Sequence, residues 1–163
     1  MITCDAFDLN LAVEGRTLRW TVSTDLPGGT RLIVDISRRY INTRGEMCLW
    51  SLWNDAVLLT ATGPGDRNVA TGTLNVDEGD AHGLSQFNEL LGPYSSGVAK
   101  PVGPEIYVEA TVGARQPMKA FGRNNCNLLG GMVAVSGGIN IVRREVVVSS
   151  EMRREYQPIE VEA

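Results

Sequence analysis

Histidine occurs once in the 163 residues, lysine twice, and the three cysteines (Cys4, Cys48, Cys126) include no pair at CxxC spacing. An odd number of cysteines without that spacing suggests neither a disulfide framework nor a zinc site, so the thiols read as reduced. A single imidazole leaves hydrolase chemistry one choice of histidine base, His82. No stretch nears the roughly 18 apolar residues that a membrane-spanning helix needs, so no membrane span is expected. The opening MITCDAFDLNLAVEGR lacks the basic start and apolar run of a signal peptide. A cytoplasmic location is the expectation, although a virion protein or a leaderless export substrate would share these features. Positive charge is also short. The formal net charge is -4 and the pI about 5.0, which argues against general nucleic-acid binding.

What is present points to one folded domain over 1–163. The hydrophobic fraction of 43% and charged fraction of 21% are those of ordinary globular chains. The basic residues comprise 13 arginines scattered along the chain, and scatter of that kind reads as compositional background rather than a recognition patch.

Alternation dominates the chain. In RTLRWTVS the apolar Leu18, Trp20 and Val22 share one face, and in TRLIVDIS so do Leu32, Val34 and Ile36, the period of a half-buried strand. LPGG between them has turn chemistry, so residues 16–41 read as an antiparallel hairpin. An earlier strand, FDLNLAV, enters it through VEGR. Further strand signals are MCLWSLW, VATGTLNV, EIYVEATV, MVAVS and INIVRREVVVSS, the last with a change of apolar phase across VRRE that predicts a bulge. Helical spacing occurs in DAHGLSQFNELLG, where Leu84, Phe87, Leu90 and Leu91 share a face and Asp80 suits the N-cap. Residues 92–104 read as a long surface loop, and 151–163 as a tail or an added edge strand carrying Ile159 and Val161. The fold class is therefore all-β: an antiparallel β-sandwich of about eight strands with one short helix in a crossover, a closed barrel being the other arrangement.

The candidate chemistry is sparse. AFGRNNCNLLGG at 120–131 lacks the lysine and hydroxyl of a phosphate-binding loop, and its asparagines suit left-handed turn positions. Cys126 with His82 is the weak catalytic candidate. DEGDAHG holds carboxylates near His82 without the spacing of a calcium loop, so no metal and no cofactor are expected. In MCLWSLW, Trp50 and Trp53 are three apart and would face opposite sides of a regular strand, either with both faces of the strand covered or with one indole free as a binding anchor. Arg39 with Arg31, or Arg144 with a neighbouring strand, could form an anion-binding sheet face. The leading expectation is a non-catalytic protein acting through a protein partner or self-association, such as an adaptor or a phage or viral accessory or structural subunit. A small hydrolase using Cys126 or a serine with His82, and a small-anion or ligand binder on an arginine-bearing face, are the competing readings.

Overall fold

Across the described residues, the stretches in which apolar residues recur at every second position are largely extended. The computed structural model describes residues 1–41, 45–91, 100, 101 and 103–157. Its strands are β1 (Ile2–Thr3), β2 (Phe7–Glu14), β3 (Thr17–Thr24), β4 (Arg31–Ile41), β5 (Met47–Leu58), β6 (Ala61–Thr62) and β7 (Asn68–Asn75). After helix α1 (Val76–Leu91) come β8 (Lys100–Pro101), β9 (Glu105–Val112), β10 (Leu128–Leu129), β11 (Ala134–Ser136) and β12 (Ile139–Ser149). They form three sheets, none closed into a barrel among the described residues. The large sheet runs β11-β12-β9-β4-β5, with β8 beside the end of β4. The small sheet runs β2-β3-β7-β6, and β1 pairs in parallel with β10. This is an all-β, sandwich-like fold. One core joins the inner faces, with Leu18, Val22, Leu32, Val34, Ile36, Ile106, Val108, Ala110 and Val112 all fully buried.

Three expectations from the sequence change on contact with the fold. First, β3 and β4 do not form a hairpin. β3 pairs with β2 and β7, whereas β4 pairs with β5 and β9. LPGG carries the chain from one layer to the other: Leu26 is fully buried at the corner, and Gly29, at φ 88°, donates its N–H to Leu59 O at 2.7 Å. The alternation of both strands is the same in either topology.

Second, β12 has no bulge. It pairs with β9 without a register shift from Val142↔Val112 to Ser149↔Glu105, so Val142, Arg144, Val146 and Val148 share the inward side. The apparent phase change comes from Ile139 and Ile141, which lie beside β11. The bulge is instead in β5, where Ile36 is paired with Trp53 and Ser37 with Ser51, leaving Leu52 as the extra residue.

Third, α1 begins at Val76. Its cap is Asn75, whose Oδ1 accepts the Glu78 N–H at 3.0 Å, and Asp80 lies a turn inside. The helix continues straight from β7 and packs against β5. Gly79 and Gly83, one turn apart, form the contact: a Cβ at Gly79 would lie 3.1 Å from Leu52 Cβ, and one at Gly83 only 1.7 Å from Trp50 Nε1. Of the loop expected at 92–104, residues 92–99 and 102 lie outside the described residues, as do 158–163 of the tail with Ile159 and Val161.

Candidate functional site

His82 and Cys126 are not brought together. His82 is exposed on α1, against β5, whereas Cys126 is exposed at the end of a short 3-10 turn (Arg123–Asn125) packed against β12. β9 and β4 lie between those strands, and three inter-strand steps amount to roughly 14 Å. Cys126 Sγ faces Asn127 Oδ1 at 3.7 Å, and among the described residues no cysteine, serine or carboxylate hydrogen-bonds His82. Burial pushes the Cys4 thiol up to about 11, so it is a poor nucleophile. Among the described residues there is no group of three His, Cys, Asp or Glu able to hold a metal ion.

The loop around Cys126 is a structural turn. Asn124 and Asn125 adopt left-handed φ values of 54° and 57°, and buried Asn125 uses its Nδ2 to join two carbonyls, Gly113 O at 2.7 Å and Asn140 O at 3.0 Å. Beside it Arg123, Asn124, Cys126, Gly138 and Asn140 line an open cleft of about 440 Å³.

The tryptophans are placed by the bulge. Absorbing Leu52 puts Trp50 and Trp53 on the same, inward side of β5 rather than on opposite sides. Trp50 is buried edge-on to Tyr40, and half-buried Trp53 lies 6.3 Å from the Trp20 ring. A Cβ at Gly72, cross-strand from Trp20, would come 2.6 Å from that indole, so the glycine makes room for it.

Arg39 and Arg144 are also not brought together. Arg144 is on the inward side of β12 and donates from Nε to Phe7 O at 3.3 Å. Arg39 is on the outer face, 3.9 Å above the Tyr107 ring and 3.5 Å from Glu145.

A buried ion pair escaped the sequence reading. Arg38 and Asp80 are 1% and 0% exposed and meet in a two-pronged contact, Nε to Oδ1 at 2.7 Å and Nη2 to Oδ2 at 3.0 Å, while Arg38 Nη1 reaches Pro104 O. Burial pushes the Asp80 carboxyl upward and Arg38 opposes the shift. Arg16 lies beside the pair, bonded to Asp77, Ser150 Oγ and Glu151 O, so the network fastens α1 to β4 and to the chain after β12. Its role is structural. The legible signal was Arg38 itself, a charge at an inward position in the phase of Leu32, Val34 and Ile36.

The outer face of the large sheet is a different kind of surface. Nine large hydrophobics are exposed among the described residues, and six of them are here: Ile33, Ile41, Met47, Leu49, Leu58 and Val147, with Leu49 at 61%. No protein-family model, curated protein or solved structure matches the chain. Function is therefore read from this surface. Its register sets Arg143, Thr111, Ile33 and Ala56 in one cross-strand row, then Glu145, Glu109, Asp35 and Asn54, then Val147, Tyr107, Ser37 and Ser51. Glu109 is held by Arg143, and Glu145 by Arg39. Asp35 has no cation within salt-bridge distance among the described residues, and its Oδ1 is buried without a hydrogen-bond partner. Burial, and then the charge of Glu109, raise its pKa. At the end of the sheet β5 pairs only with β4 among the described residues, and Asp55 Oδ1 accepts the Ala56 N–H at 2.8 Å.

Proposed function

We propose that the protein is non-catalytic and acts by protein–protein contact through the outer face of the large sheet, as an adaptor or as an accessory or structural subunit of an assembly. The observation that carries this reading is the gathering of six exposed large hydrophobics on that one face. Exposed apolar residues gathered on one face mark interaction sites, whereas single ones mean little. Here Ile33 and Leu58 lie on one side of the charged row of Glu145, Glu109 and Asp35, and Ile41, Met47 and Leu49 on the other. The separation of His82 from Cys126 supports the non-catalytic part. On that face Arg39 and Arg143 already hold Glu145 and Glu109, which weighs against an anion-binding face.

The test is site-specific photo-crosslinking in the cell that makes the protein. A photoreactive residue at Leu49 should give one discrete adduct, identified by mass spectrometry, and the same residue at Thr73 on the small sheet should not. Equal labelling at both positions, or none at Leu49, would overturn the reading.

A further inference from the structure

We propose that the partner of this face is a second copy of the chain, docked face to face across a two-fold axis that passes through Ser37. The proposal rests on the reading of the outer face as a contact surface and names what covers it. Along β4 that side carries Ile33, Asp35, Ser37, Arg39 and Ile41, with Ser37 itself buried at 6% exposure beneath its neighbours. Reversing the order about Ser37 exchanges acid for base and leaves an isoleucine at each end. A two-fold contact sets residue i on residue j and j on i. Each Asp35 then lies over the Arg39 of the other copy, and each Ile33 over the other Ile41.

The neighbouring strands agree with that centre. Ser51, Tyr107 and Val147 lie in the row of Ser37, so the middle of the contact has two small serines side by side and a Val147 that meets its own counterpart. The charge bookkeeping favours it as well. Asp35 is the acid of its row that lacks a cation, while Arg39, with 36% of its side chain exposed, stacks on Tyr107 with one ion pair at 3.5 Å and swings from that ring to meet the facing Asp35. The arrangement sets Glu109 over the Glu105 of the other copy, a contact softened because Arg143 already neutralises Glu109. Four strands at about 4.8 Å spacing and about ten residues at about 3.3 Å rise give a face of roughly 600 Å². Two such faces bury about 1,200 Å², the lower limit for a specific interface. Packed sheets keep their strands within about 30° of each other, which preserves the central Asp35 and Arg39 pairs best.

Sedimentation velocity over a concentration series tests the pairing with three samples: Asp35→Arg alone, Arg39→Asp alone, and the two mixed. Each variant alone sets like charges face to face and should weaken dimerisation by at least about tenfold. The mixture should restore a dimer containing one chain of each kind, because a face with two arginines meets a face with two aspartates. A mixture that stays monomeric, or single variants that dimerise as well as the parent, would overturn the pairing. If either variant fails to fold by circular dichroism, Asp35→Asn and Arg39→Gln replace them, and unchanged dimerisation in both counts against the proposal. A monomeric parent chain whose Leu49 crosslinks to a different protein sinks the second copy and keeps the contact face. Absence of any Leu49 adduct removes both.

Discussion

Replacing Gly83 with alanine sets two effects of opposite sign against each other. Alanine favours a helix interior by about 1 kcal/mol over glycine, so α1 alone would gain. Its Cβ, however, would lie 1.7 Å from Trp50 Nε1 and 2.2 Å from Cδ1, against the roughly 3.5–4.0 Å of a relaxed contact. The indole has little room to yield, being 3% exposed and set edge-on to Tyr40 at 6.2 Å. Relief therefore requires α1 to lift by about 2 Å. That movement would stretch the 2.7 and 3.0 Å contacts between Asp80 and Arg38. Overpacking costs about 1–3 kcal/mol, and opening a buried ion pair costs up to about 3–5 kcal/mol. The net expectation is a loss of about 2–5 kcal/mol. Urea unfolding followed by both tryptophan fluorescence and far-ultraviolet dichroism measures it. Gly79→Ala is the matched control, because its nearest neighbours are 3.1–3.3 Å away and its change should stay within about 1 kcal/mol of zero. A Gly83→Ala chain as stable as the parent would refute the seating of α1 on Trp50.

The buried ion pair gives a second expectation: Arg38→Leu alone should cost about 3–5 kcal/mol by stranding the Asp80 carboxylate, whereas Arg38→Leu with Asp80→Leu should recover most of that loss. Equal losses in the single and double variants would contradict it. The third concerns Asp35 at protein concentrations too low for association. Its folded pKa is raised by burial, so its contribution is fully present below the unfolded aspartate range and is lost as pH rises through the folded value. Asp35→Asn should therefore melt higher than the parent at pH 7, with the difference vanishing in acid, and a lower melting temperature at pH 7 would contradict the assignment.

How far the fold could be read in advance depended on which interactions are local. EIYVEATV announced β9 residue for residue, with Ile106, Val108, Ala110 and Val112 inward, because a half-buried strand writes its two faces into its own alternation. Which strands pair is set by distant partners, and so the LPGG corner resembled a hairpin turn. The bulge at Leu52 was hidden because every residue from Cys48 to Trp53 except Ser51 is apolar, and parity cannot be counted where both faces look alike. The helix start was misplaced for a related reason. Asp80 has the chemistry of a cap, and only the arginine brought opposite it from β4 gives it an interior role. The outer face left a trace in the sequence through Ile33, Ile41 and Val147, which occupy the polar phase of their strands, but apolar residues in that phase mark a site only when neighbouring strands bring them together.

Leu52 also bears on how this chain tolerates changes of length. In a regular strand the residues from Trp50 onward would alternate strictly, sending Trp53 outward and drawing Asn54, Ala56 and Leu58 toward the core. The chain avoids this with a residue that has no partner across the ladder, and that same residue is where Gly79 of α1 comes to rest. A deletion of Leu52 would leave the parity of every remaining residue in β5 correct and remove the buried side chain on which Gly79 rests. An insertion anywhere else in β5 has no such place to go and would turn half the strand inside out.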